Sequence, residues 1–431
     1  MTQMDELVVL IAGTPAGILH RRGNEISFTY DSQYLGHEEA TPLSTAISID
    51  QYFHSGRQVA AWIDGLLPDN ERVRFLWGRE FGVDERSPFD LLGTQVGHDC
   101  AGAVQFCQLD DLDDLLDRGG SRYPVTQEDI ADHLRELAAD SARWHRIGAL
   151  GGRFSLGGAQ AKFALHQDEQ GQWWQPEKDM PTTHIFKPSI HGLDDQALIE
   201  HLTMETAHRL GLPTARSQVD VFGEQQVIVV ERCDRYRTAQ GVARLHQEDF
   251  CQALGVHPQM KYQRAGGPSP AQIADHLWEW SSNPMNDVER FFDALFYNWL
   301  IVGTDAHAKN YSILLRGDEV TLSSLYDMCS FLPWLADEQA VEDELLSMSV
   351  GDGFKVGDAG SKHIWGDLAV RMELDPRELF NRAVEMAKDL EEAVADSVAG
   401  LPLVISYTPR IDALLEWAAL RSSHCLEIFM R

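Results

Sequence analysis

Gly303-Thr304-Asp305-Ala306-His307-Ala308-Lys309-Asn310, followed after one strand-turn-strand interval by Leu325-Tyr326-Asp327, decides how this chain folds. Phosphoryl transfer needs a carboxylate to orient the attacking hydroxyl, and an amide and a second carboxylate to hold Mg²⁺ against the phosphates of ATP. Asp305, Asn310 and Asp327 supply those three groups in that order, the first two at the D-x-x-x-x-N spacing of a protein-kinase catalytic loop. Between Asn310 and Asp327, the runs Tyr311–Leu315 and Val320–Leu322 flank Gly317-Asp318, a hairpin signal that brings the two metal ligands together. The spacing alone recurs by chance in any acidic chain, so its surroundings matter. Asn286-Asp287-Val288-Glu289 reads as a helix cap, and Phe292, Leu295, Phe296, Trp299 and Leu300 then recur at helical spacing as far as Gly303. A helix buried in this way delivers Asp305 on a loop held by core packing.

The parts that hold a nucleotide lie upstream. Gly151-Gly152-Arg153-Phe154-Ser155-Leu156-Gly157-Gly158-Ala159-Gln160-Ala161-Lys162 is glycine-rich and runs into apolar Phe163-Ala164-Leu165. Glycine lets backbone N–H groups approach phosphate oxygens closely, although the same composition also makes a plain surface turn. Thr183-His184-Ile185-Phe186-Lys187-Pro188 reads as a strand that points Lys187 at the nucleotide, with Pro188 biasing its neighbour toward extended backbone. An ordinary solvated lysine is the alternative. A helix from Asp195 to Leu210 carries Glu200, placed to pair with Lys187 or to lie on a solvated face. Gln226–Cys233 is a nearly continuous β-branched run, the mark of a buried strand. Its end is the hinge, where the backbones of Glu231 and Cys233, with Arg232 between them, meet the adenine edge. This order of parts predicts an α+β, protein-kinase-like fold of two lobes, the small one strand-rich and the large one mostly helical.

Several motifs together resemble those of HipA-family serine/threonine kinases, the toxin half of bacterial toxin–antitoxin pairs. They are Ser155–Lys162, His184–Pro188, Val230–Arg235, Leu245–Phe250, Thr304–Asn310 and Tyr326-Asp327. The amino-terminal part is similar to the mixed α/β subdomain that precedes the kinase in this family, through Ile26–Tyr30, Asp64–Asn70 and Asp99–Val104. The resemblance implies Asp305 as catalytic base, Asn310 and Asp327 as Mg²⁺ ligands and Lys187 on phosphate oxygens. It also implies Gly157, Gly158, Ala159, Gln160, Ala161 and Lys162 over the phosphates, with His307 and Tyr326 touching nucleotide. Ser155 matches a serine that such kinases phosphorylate on themselves as an off switch. Cys233 stands where the family commonly has a larger aromatic residue. The implied partners are a small basic helix-turn-helix antitoxin (HipB-like), operator DNA bound through it, and a protein substrate of the translation machinery such as an aminoacyl-tRNA synthetase.

Composition agrees. The 431 residues are 44% hydrophobic, enough for two or three domains, and the formal charge of −31 opposes direct binding of nucleic-acid phosphates while attracting basic partners. There is no apolar run near 18 residues and the start is acidic, so neither a membrane span nor a signal peptide is expected and the chain reads as cytoplasmic. Six cysteines with no C-x-x-C pair read as reduced thiols. The expected organisation is an amino-terminal subdomain over 1–108, an acidic connector with a helix from a Thr126 cap over 109–147, the small lobe over 148–235 and the helical large lobe over 236–431. The stretch from Ser330 to about Lys362 is poor in helix signals and reads as a mobile activation and substrate-docking segment. Two other function classes stay open: a small-molecule kinase of lipid or aminoglycoside type, and a non-catalytic antitoxin-binding scaffold.

Overall fold

The computed structural model describes residues 5–116, 122–145, 154–177, 179–239 and 241–430. Gly151, Gly152 and Arg153 of the glycine-rich stretch lie outside the described residues. The amino-terminal subdomain is an antiparallel sheet of order β4-β3-β2-β1-β5, made from β1 (Glu6–Ile11), β2 (Thr14–Arg22), β3 (Glu25–Tyr30), β4 (Phe53–Ser55) and β5 (Val104–Cys107). Helices Arg57–Gly65 and Glu71–Phe81 cover it and bury Trp62 and Trp77.

The small lobe is a six-stranded sheet. It consists of β6 (Arg122–Pro124), β7 (Phe163–Gln167), β8 (Trp173–Pro176), β9 (His184–Pro188), β10 (Ser217–Phe222) and β11 (Gln225–Glu231), in the order β10-β11-β9-β7-β8-β6. The β-branched run on β11 is buried on both faces, and the strand's period of two divides it. Val227 and Val229 join the core shared with the amino-terminal subdomain, whereas Ile228 and Val230 join the core of the large lobe. Phe163 stacks on Phe186 at 4.6 Å between ring centres, with Trp173 edge-on to Phe186. The connector is not a free linker: β6 pairs with β8 as the sheet edge, and the helix Gln127–Ala139, capped by a Thr126–Asp129 box, buries Ile130, Leu134 and Leu137 in that same core.

The hinge region holds a hairpin of β12 (Arg235–Thr238) and β13 (Gly241–Arg244), and the large lobe opens with β14 (His246–Asp249), β15 (Ser312–Arg316) and β16 (Glu319–Leu322). The remainder is mostly helical, dominated by Pro284–Leu300, Pro376–Ala399 and Pro409–Phe429. The first of these begins earlier than the expected cap at Asn286, because Pro284 takes the first helical position. Asp287 is instead buried and accepts from Ser281 and from the Leu322 amide, fixing the end of β16. The segment from Ser330 to Lys362, expected to be mobile, is built into the lobe. It contains the helix Glu338–Asp343 and the pair β17 (Leu345–Val350) and β18 (Gly353–Lys355), with Met348, Val350, Val356 and Ala359 buried in the main core. All six cysteines are free thiols, four of them buried. Among the described residues, no helix is long and apolar enough to cross a membrane.

Candidate active site

The helix Pro284–Leu300 ends in a tight reversal. Val302 adopts a left-handed backbone at φ 54°, and a Cβ on Gly303 would meet the Asn298 side-chain oxygen at 2.3 Å, so glycine is needed there. The chain then presents Asp305, whose side chain is 66% exposed at the mouth of a cleft of about 730 Å³ between the lobes. Asn310 Nδ2 donates to the Asp305 carbonyl at 2.8 Å, so the amide oxygen is the atom left for a cation. Past the β15–β16 hairpin, Leu325 accepts from the Ala215 amide and donates its own to Pro213 O, bridging to the small lobe, and Asp327 follows at φ 57°. Such a conformation costs energy for a non-glycine residue and is held by its surroundings.

Those surroundings are Lys187. From β9 its Nζ donates to Glu200 Oε1 at 2.8 Å and to Asp327 Oδ1 at 2.5 Å, while Gln196 donates to Glu200 Oε2 at 3.0 Å. Burial lowers the Lys187 pKa, but the Asp327 and Glu200 carboxylates outweigh it and the net shift is upward. Burial raises that of Asp327, yet the Lys187 and Lys162 ammoniums hold it well below the usual carboxylate range. Asp327 is therefore ionised, and about a third of its side chain, 34%, still faces the cleft. The ionised Asp327 and the Asn310 amide oxygen fit Mg²⁺, which accepts one or two protein ligands and completes its shell with phosphates and water. Among the described residues, no cluster of three or more His, Cys, Asp or Glu makes an all-protein cage.

The segment Gly157–Lys162 lines the same cleft. Lys162 Nζ donates back to the Gly157 carbonyl at 2.8 Å, and burial together with the Lys187 charge lowers its pKa to about 8. Gln160 donates to Pro188 O and Gln196 Oε1, whereas Ala159 is exposed. His307 is buried and kept neutral by desolvation, with Nδ1 lacking a hydrogen-bond partner among the described residues. Tyr326 contacts the Ser312 hydroxyl and donates to Lys309 O at 3.1 Å. At the hinge, the Glu231 amide is already bonded to Arg216 O and that of Arg232 to Thr183 O. Cys233 Sγ sits between Gln247 and Ser323, in a wall that a small side chain leaves open.

Two of the residues named from the sequence have side chains engaged by the protein itself. The Arg232 side chain turns away from the cleft: its guanidinium is buried against Asp99, Thr182, Cys100 O and Asp234. Asp99 also receives Arg235 and Arg244, so this cluster docks the amino-terminal subdomain on the hinge and leaves only the Arg232 backbone to a nucleotide. Ser155, which matches the self-phosphorylated serine of the family, is fully buried, with its hydroxyl donating to Leu66 O at 2.7 Å and its amide to Asp99 O at 2.8 Å.

Other residues of the cleft were given no individual role by the sequence. Asp69 of the subdomain pairs with Lys261 at 2.9 Å, lies 3.8 Å from Lys309, and donates its amide to Gly158 O. Lys309 Nζ also donates to Gly65 O at 3.0 Å, so the turn Gly65–Asp69 touches both the glycine-rich loop and the catalytic loop. Tyr262 donates to Asp305 Oδ1 at 2.6 Å. The turn residues Gly266-Gly267-Pro268 after Lys261-Tyr262 are the sequence signal from which a fixed geometry there can be read.

The model of the HipA-like C-terminal domain matches residues 154–396, and that of the HipA N-terminal domain matches residues 7–107. A putative kinase, Y4mE of Sinorhizobium fredii, is 36% identical over 312 residues, which is 72% of this chain and 73% of that protein. The serine/threonine-protein kinase toxin HipA of Shewanella oneidensis is 28% identical over 397 residues, covering 88% of this chain and 84% of that one. The structure of HipA from Shewanella oneidensis MR-1, solved with HipB and operator DNA, superposes with a TM-score of 0.82 at 22% identity, over 98% of this chain and 97% of that chain. With family models matched over both the amino-terminal subdomain and the two lobes that enclose the cleft, this chain belongs to the HipA family of serine/threonine-protein kinase toxins.

Proposed function

We propose that this chain moves the γ-phosphate of Mg·ATP to serine or threonine hydroxyls of a protein of the translation machinery in the cytoplasm, and to its own Ser155. The observation that carries this reading is that Lys187 meets buried Glu200 at 2.8 Å and Asp327 at 2.5 Å, in a cleft that Lys187, Asp327, Asp305 and Asn310 line. Asp305 takes the proton of the acceptor hydroxyl as that oxygen bonds to the γ-phosphorus, the bond to the β–γ bridging oxygen breaks, and ADP leaves. Asn310 Oδ1 and the Asp327 carboxylate would hold Mg²⁺, which when bound neutralises charge on the phosphates. Lys187, fixed by Glu200, orients phosphate oxygens. Lys162 and the amides of Gly157–Ala161 cover them, and the Glu231 carbonyl and the Cys233 amide face the adenine edge.

The charge of −31 supports a second part of the reading, a basic helix-turn-helix antitoxin that bridges this chain to operator DNA. The aminoacyl-tRNA synthetases are the substrate class this reading favours. The test is incubation with Mg²⁺, labelled ATP and a bacterial lysate, with phosphosites read by mass spectrometry. Label on serine or threonine of one or a few proteins is expected. Label on a soluble metabolite alone would make this a small-molecule kinase, and none at all would leave a binding scaffold.

A further inference from the structure

Asp305 stands on an exposed turn, where a carboxylate with two free torsions samples several orientations. A base that must meet an acceptor hydroxyl within a few tenths of an ångström gains from having those torsions fixed. One contact fixes them: the Tyr262 hydroxyl donates to Asp305 Oδ1 at 2.6 Å. The Tyr262 ring is itself supported from below by His307, which it meets edge to face at 5.0 Å between centres. His307 Nε2 lies 3.9 Å from the same Asp305 oxygen.

The segment carrying Tyr262 is tied down on every side. Lys261 O accepts the Ala308 amide of the catalytic loop, and Lys261 Nζ is held by Asp69 at 2.9 Å. Tyr262 O accepts the amides of Ala265 and Gly267. A Cβ on Gly267 would lie 2.0 Å from Met260 O, so the turn closes only with glycine there. Gln263 exchanges two hydrogen bonds with Ser349 of β17, at 2.8 Å each.

Resting on the reading of Asp305 as the base, we propose that Tyr262 is a positioning residue, whose hydroxyl holds one carboxylate oxygen of Asp305 and turns the other toward the acceptor hydroxyl. Burial and the bond to Asp305 push the phenol pKa up, so it stays a donor throughout the working range of pH. The alternative, that the phenol occupies the acceptor's place and blocks the site, fits poorly with a side chain on a turn anchored from three directions.

The test compares wild type, Tyr262→Phe and Asp305→Asn, reading initial rates of labelling of lysate proteins against ATP concentration, with Mg·ATP affinity measured separately. For Tyr262→Phe, kcat should fall about 10- to 100-fold, the worth of one hydrogen bond to a charged group, with KM for ATP and nucleotide affinity unchanged. An unchanged or raised kcat overturns the proposal. So does a loss of kcat matched by a loss of nucleotide affinity, which makes Tyr262 a scaffold residue. Asp305→Asn separates the two levels: if it remains active the base assignment itself fails, whereas a dead Asp305→Asn beside a fully active Tyr262→Phe overturns only the role of Tyr262.

Discussion

Lys187 Nζ lies 2.5 Å from Asp327 Oδ1, a contact that joins a strand of the small lobe to the Asp327 turn of the large lobe. The same ammonium meets buried Glu200 at 2.8 Å, so one buried cation serves two carboxylates. Removing it leaves both anions facing each other.

Lys187→Met is therefore expected to cost about 3 kcal/mol of stability, as loss of one partner of a buried ion pair does, and to abolish nucleotide binding. The double variant Lys187→Met/Glu200→Gln should recover much of the stability and none of the phosphoryl transfer. Denaturant melts and nucleotide titrations of both proteins separate the two effects. A single variant as stable as wild type would show that the pair is not tightly coupled.

Lys162 gives a pH dependence with a definite sign. Its folded pKa of about 8 lies below the ordinary lysine value, so the unfolded chain binds more protons between about pH 8 and 10.4. This group's contribution to stability rises with pH across that window, while its attraction for phosphate falls as the ammonium is lost. Nucleotide affinity should drop by up to about tenfold from pH 8 to pH 9, with proton uptake on binding seen by calorimetry in buffers of different ionisation enthalpy. In Lys162→Met the drop should vanish; an equal drop there would assign it to another group.

Ser155 is expected to be modified between molecules, because its hydroxyl is buried against Leu66 O and the loop must leave the cleft to expose it. A phosphate adds about −1.5 to −2 charge, which the pocket under Leu66 cannot take back. Mixing Asp305→Asn protein with active enzyme should phosphorylate Ser155 of the inactive copy, reduce its ATP binding and make the loop Ser155–Lys162 easier to cleave by protease. A phosphorylated form that binds ATP normally would contradict this switch.

With a formal charge of −31, the chain alone should give no operator shift at physiological salt and should join the shifted complex once a basic antitoxin is added. Gel shifts over a salt series check this. A specific, salt-resistant shift by the chain alone would contradict it.

Much of the site was legible because its parts are local in sequence. The reversal at Gly303, the D-x-x-x-x-N spacing and the hairpin around Gly317 place Asp305, Asn310 and Asp327 by short-range geometry, and the β-branched run on β11 announces its own burial. Lys261 and Tyr262 were not legible, and Asp69 was seen only as part of the Asp64–Asn70 motif, since each gains its role from a partner far along the chain. The burial of the Arg232 guanidinium against Asp99 was not legible either, because Asp99 lies far upstream in the chain. The segment from Ser330 to Lys362 misled through its glycines and acidic residues. Ser347 there donates to Thr304 O at 2.6 Å and Gln263 clasps Ser349, contacts that composition does not reveal.

The most direct measurement is the rate of phosphoryl transfer by Asp305→Asn against wild type, with Mg²⁺ and labelled ATP, at matched thermal stability and nucleotide affinity. Asp305 is exposed and packs against little, so the variant should fold and bind Mg·ATP as wild type does while labelling falls by more than about 10²-fold. Labelling of any acceptor at close to the wild-type rate would contradict the assignment of this cleft as a kinase centre with Asp305 as its base.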